Sequence, residues 1–280
     1  MVNKYFSVTV TPDVIMGDVS DVHDATDGIA LAVGDLVADW TAVDVPKGVN
    51  MLHSISMIVN NVDGGTTRFD NDLIILFAKS INGVAPGSIN PSGFGAAPAF
   101  PHSSQTGIRE HIIGGIKLES STDNTEYNIP IVDDLFGVSM YQYGHPAALS
   151  TKTTSPSLPM VLEMEPISGT NVGYDTLYVA LLNFTGTSVI TGTNVLADGA
   201  VDASAAQSKT IVVKTTDARK NFSIGDQVYV YDLDTPIPGT LTKVEASLLT
   251  FSEANTTVDI ADGDELLNAN PIRLKLGFER

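Results

Sequence analysis

Four aspartates recur at every third residue in "GDVSDVHDATDG": Asp18, Asp21, Asp24 and Asp27, closed by Gly28. Carboxylate oxygens on a bendable loop are what a calcium ion takes as ligands. The spacing differs from the helix–loop–helix calcium pattern, which sets ligands at every second position and ends in Glu. Aspartate also favours turns by bonding to its own backbone. The reading adopted is a solvated acidic loop, with calcium as the alternative, and no cofactor is expected. A second carboxylate pair, Glu163 and Glu165 in "LEME", would stand about 7 Å apart on one face of a strand. Glycoside hydrolysis needs two carboxylates that flank a sugar, so this pair reads instead as the solvent face of a strand. The five histidines (His23, His53, His102, His111 and His145) are scattered. His53 reads as a cross-strand partner. Cysteine is absent, which excludes disulfides and thiolate chemistry. No nucleophile elbow, phosphate loop, zinc-protease helix or dinucleotide fingerprint is present. The expected role is therefore not enzymatic.

Three Gly-Asp steps stand out: "VGDLV" at Gly34, "IGDQV" at Gly225 and "DGDEL" at Gly263. Gly admits a positive φ and Asp bonds locally, so each reads as a turn that opens a strand. After the second, Val228 and Val230 would face one side of a strand, and Tyr229 and Tyr231 the other. Those two tyrosines are interface candidates. Asp232 and Asp234 follow and lead into the Pro-rich turn "DTPIPG".

The elements that must position these residues are strands. "PIRLKLGFE", "GIKLE" and "HSISMIV" alternate apolar and polar residues with a period of two. "LIILF" and "LYVALL" are apolar on both faces and read as central strands. No run of about 12 residues shows helical spacing. The expected fold is all-β: an antiparallel β-sandwich or jelly-roll domain over 1–200, then a small antiparallel β-barrel domain over 208–280. A linker or a short helical connector is expected near 196–209. Five strands are expected after it, over 210–214, 227–231, 240–244, 248–251 and 272–278. The stretch 82–106 holds four Pro and four Gly, too many for a ladder, and reads as a contact loop. Phe94 and Phe100 within it are either anchors in a partner's pocket or caps on their own core.

The chain carries 15 Lys and Arg against 33 Asp and Glu, for a net charge of −18. Through Ala206 the net charge is −15, and the remainder carries −3. Such a surface repels phosphate backbones, so direct nucleic-acid binding is not expected. Apolar runs fall far short of the ~20 residues that span a bilayer. The N-terminal residues lack a signal-type apolar core. No membrane partner is expected, and the chain is expected to be made in the cytoplasm.

Several stretches together carry a resemblance: "LAVGDLVADWTAVDVPKGVNMLHSISMIVNN", "DNDLIILFAKS", "IREHIIGGIKLE" and "YDTLYVALLNFTGTSV". Over roughly residues 30–190 the chain resembles a family of tailed-bacteriophage virion proteins, often encoded near the major capsid protein. "FSIGDQVYVYDLDTPIPGTLTKVEASLLTF" is similar to small β-barrel modules appended to phage structural proteins. The resemblance implies a virion location, assembly in the host cytoplasm, and a capsid decoration (cement) role. The implied partner is the major capsid protein or another virion protein. A homo-oligomer, with a trimer favoured, suits shell symmetry. "YFSVTV" near the N-terminus could pair with a neighbour's edge. The alternative is a carbohydrate-binding or adhesin module of a tail or fibre, with Trp40, Tyr141 and Tyr143 as stacking groups.

Overall fold

The computed structural model describes residues 5–14, 29–31, 34, 36–48, 51–60, 73–89, 107–118, 129–131, 136–142, 159–166, 173–183, 188–190, 195–201, 208–215, 217–230 and 235–279. It is all-β with antiparallel pairing throughout the described sheets. The strands run in chain order as β1 (Tyr5–Val10), β2 (Ile29–Leu31), β3 (Leu36–Pro46), β4 (Met51–Asn60), β5 (Leu73–Lys79), β6 (Ile112–Leu118) and β7 (Ile129–Ile131). Next come β8 (Phe136–Gln142), β9 (Met160–Val161), β10 (Tyr174–Asn183), β11 (Ser188–Ile190), β12 (Val195–Ala197) and β13 (Thr210–Lys214). The last six are β14 (Val228–Val230), β15 (Thr235–Pro236), β16 (Leu241–Val244), β17 (Leu248–Phe251), β18 (Glu265–Asn268) and β19 (Ile272–Glu279). A four-residue helix, α1 (Ile108–His111), follows Gly107, whose φ is 106°. No helix was expected from the sequence. Four residues are too few to leave a periodic signal.

A six-stranded sheet runs β1-β19-β4-β8-β7, with β9 also on β4, and a four-stranded sheet runs β3-β10-β5-β6. Both sheets feed one core. Leu52, Ile55, Ile272, Leu274, Leu276 and Phe278 from the first pack with Val37, Leu73, Ile75, Phe77, Leu177 and Val179 from the second. Full burial of such a side chain is worth about 2 kcal/mol over its exposed state. β10 is buried on both faces, as its unbroken apolar run requires. Its second face packs Ala180 and Leu182 against Leu36, Ile89 and Ile108. A third sheet of seven strands runs β15-β14-β18-β12-β13-β17-β16 over its own core of Val195, Ile211, Phe222, Val228, Val230, Phe251, Ile260 and Leu266.

The grouping of 272–278 with the C-terminal unit is corrected here. β19 lies between β1 and β4, in register from Tyr5↔Glu279 to Val10↔Leu274 on one side and from Ile272↔Val59 to Glu279↔Met51 on the other. Its apolar face completes the first unit's core, because β1 and β4 would otherwise be separated. The expected linker at 196–209 is corrected too. β12 pairs with β13 and β18, and Val201 bridges Ile260, so the second unit already begins at Val195. The seven-stranded unit is thus inserted between β10 and β19 of the first.

Candidate functional site

Two Gly-Asp turns share one geometry. In the turn at 223–226, Ser223 N–H donates to Asp226 Oδ2 at 2.7 Å and Asp226 N–H donates back to Ser223 O at 3.2 Å. In the turn at 261–264, Ala261 N–H donates to Asp264 Oδ2 at 2.7 Å and Asp264 N–H to Ala261 O at 3.2 Å. Each turn also clamps one residue of a crossing strand. Gly225 N–H donates to Leu241 O and Leu241 N–H to Asp226 O, at 2.7 and 2.9 Å. Gly263 N–H donates to Ala197 O and Ala197 N–H to Asp264 O, at 3.0 and 2.8 Å. The glycines hold φ of 94° and 96°, where a Cβ is strained. Gly34 has φ 91° and donates to Asn183 O at 2.8 Å. These aspartates therefore shape backbone.

The first of the two turns does more. Asp226 is 1% exposed, and its Oδ2 also accepts from Asn268 Nδ2 at 2.7 Å. Its Oδ1 accepts from Arg273 Nη2 at 2.5 Å. Arg273 lies on β19 of the six-stranded sheet, so the pair ties the two units. Burial pushes the Asp226 carboxyl above the usual aspartate range, against the pull of Ser223 N–H, Arg273 and Asn268. Next to it, Asn270 Nδ2 donates to Pro12 O at 3.2 Å and Asp13 Oδ1 at 2.5 Å. Asn270 Oδ1 accepts from Gln227 N–H at 2.8 Å, and Val14 N–H donates to Ala269 O at 2.8 Å. Sequence reasoning missed Asn268, Asn270 and Arg273. The available signal was "NANP", a polar run between two strand patterns, which reads only as a turn.

On the four-stranded sheet, Lys79 Nζ meets Glu165 Oε1 at 2.7 Å and Ser80 Oγ donates to Glu165 O at 3.1 Å. The Lys79 hydrogen bond, with its charge, the Asn82 N–H and the His111 charge, holds Glu165 below the usual glutamate range. His111 Nδ1 lies 2.8 Å from Lys79 O. Glu163 is exposed as expected, but Glu165 is engaged and lies outside the short β9. Trp40 donates its indole N–H to Gly87 O at 3.1 Å. Asp39 beside it accepts from Ser88 Oγ at 2.5 Å and from Ile89 N–H at 3.0 Å. Trp40 is thus an anchor for the start of the 82–106 stretch.

Tyr229 lies on β14 between Pro236 and Leu267, half-buried, while Val228 and Val230 are fully buried. The alternation expected there is present, and Tyr229 is the side of the strand turned from the core. Asp18, Asp21, Asp24, Asp27, Phe94, Phe100, Tyr231 and Tyr143 lie outside the described residues, as does the side chain of Tyr141. His53 pairs across strands with Glu279 and meets the Tyr5 ring edge-on at 6.1 Å. Among the described residues, no group of three or more His, Asp and Glu is placed to hold a metal ion, and no helix is long and apolar enough to cross a membrane. No protein-family model matches the chain, and no curated protein matches it.

Proposed function

We propose that this chain is a structural protein of a tailed-bacteriophage particle, most specifically a capsid decoration protein that binds the assembled shell. In this reading the first unit is an antiparallel β-sandwich of jelly-roll type and the second a small antiparallel β-barrel. The supporting observation is where the resembling stretches fall. They contribute β3, β4, β5, β6 and β10, whose side chains meet in one shared core. A resemblance made of strand patterns supports the reading only if those strands form one body. The role is binding rather than catalysis, and the partner is the major capsid protein or another virion protein.

The mechanism is mass action. A protein that binds only the assembled lattice stabilises that lattice by its binding free energy. Contact comes from loops and sheet margins, where Val84 at 64% and Val161 at 54% expose apolar surface. The test is mass spectrometry of purified particles, with copy number, and comparison with particles lacking the protein. Copies on the order of hundreds per particle are expected, set by shell symmetry. Particles that lack the protein and resist heat and osmotic shock equally well would remove the decoration role. A purified chain that binds glycans on an array and ignores capsids would favour the adhesin alternative.

A further inference from the structure

A sheet ends in unpaired backbone, and chains that stay apart protect those ends with charge, Pro, bulges or shortness. Among the described residues, nearly every sheet end here is protected. β7 is three residues with Pro130 at its centre, and β15 is two residues ending in Pro236. β6 carries Gly114, Gly115 and Lys117, and β3 carries Asp39, Asp44 and Pro46. β16 has Lys243 beside a register shift, and β2 and β11 have three residues each. β1 is the exception. "YFSVTV" has no charge, Pro or Gly, and its register on β19 runs unbroken over all six residues.

The two faces of β1 are each uniform. Tyr5, Ser7 and Thr9 are exposed, Tyr5 at 68%, and each bears a hydroxyl. Phe6 and Val8 face the shared core yet remain half-buried, with Phe6 stacked on Phe278 at 5.5 Å. Apolar side chains on the core side are thus left partly open at this margin.

We propose that β1 is a self-association edge: two copies pair β1 with β1, antiparallel about a two-fold axis at Ser7, and join their six-stranded sheets. Phe6 then lies opposite the partner's Val8, Tyr5 opposite the partner's Thr9, and Ser7 opposite itself. Residues of equal parity meet, so the apolar face stays on one side; a slip of one residue would set apolar against hydroxyl. A second copy fits because the strand is its own complement. It is also uncharged within a chain of net charge −18, so no like charges meet across the junction. The interface is isologous and closes at two copies. This inference goes beyond the virion reading and sets a dimer in place of the trimer favoured from shell symmetry.

The test is light scattering and sedimentation of the full chain over a concentration series at low and moderate salt. A dimer is expected, tighter at higher salt because the two acidic bodies repel each other. Ser7→Glu sets two like charges opposite each other on the exposed face and should weaken the dimer at least about fivefold. Val212→Glu, on an exposed position of the seven-stranded sheet, should leave it unchanged. At concentrations where each is monomeric, melting curves of both variants should match the parent, and amide exchange over Tyr5–Val10 should slow on association. A monomer at every concentration, a trimer, or a dimer indifferent to Ser7→Glu would overturn the proposal.

Discussion

The turns at 223–226 and 261–264 are the same local device in two settings. Their backbone bonds match to within a few tenths of an ångström, and their glycines hold the same φ. The settings differ. Asp226 is buried against Arg273 and Asn268 where the two units meet. Asp264 is only half-buried, and its turn stays within the second unit. The local sequence therefore decides the turn, and the neighbouring strand decides whether that turn also fastens two bodies together.

Alanine at both aspartates breaks the comparison open. Asp226→Ala strands the donors of Ser223, Asn268 and Arg273 and is expected to lower stability by about 3 kcal/mol. Asp264→Ala is expected to cost about 1 kcal/mol, since water can satisfy its turn. Urea unfolding checks both, and equal losses would show that the junction adds nothing. Gly225→Ala and Gly263→Ala should each cost about 1 kcal/mol, because both force a Cβ into the left-handed region and neither meets a neighbour within 4 Å.

Asp226→Asn is a finer probe. It keeps the shape, but one accepting oxygen becomes an NH2 that must face a donor, either Arg273 or Ser223 N–H and Asn268, so a loss of about 2 kcal/mol is expected at neutral pH. The pH dependence has a definite sign. A raised carboxyl contributes stability that is complete below the usual aspartate pKa and is lost as pH rises through its raised value. Glu165 is lowered, so its contribution is present above the usual glutamate pKa and is lost as pH falls through its lowered value. Carboxyl NMR titration should place the two midpoints on opposite sides of their ordinary values. The smallest effect is expected from Lys79→Met. Its pair with Glu165 is partly exposed, and the change should stay within about 1 kcal/mol.

Much of the strand content was legible. β13 and β17 match their expected bounds, and β14, β16 and β19 fall within a residue or two of theirs. Alternation reveals a strand because burial on one face demands it. It does not reveal the partner. "IRLKLGFE" would read the same in either unit, and its pairing with Tyr5–Val10 spans almost the whole chain. β12 was hidden because three residues between a Thr-rich stretch and Asp198 leave no period. At the junction, the Gly-Asp signature marked the turn at Asp226. Its partner Arg273 looked like any polar residue on an alternating strand, and only the fold shows that this face meets the second unit.

The placement of β19 has a consequence for synthesis. Domains tend to fold as they emerge from the ribosome, N-terminal portions first. Here β1 and β4 are made early, yet the strand that joins them follows more than two hundred residues later. The inserted unit has its own core and can fold while the first sheet still lacks its middle. A translation product stopped before Ile272 would carry a finished insert on an unfinished host. Its β1 and β4 would both be open to wrong partners, so a nascent-chain series should show the first unit gaining protease resistance only once Glu279 has cleared the exit tunnel.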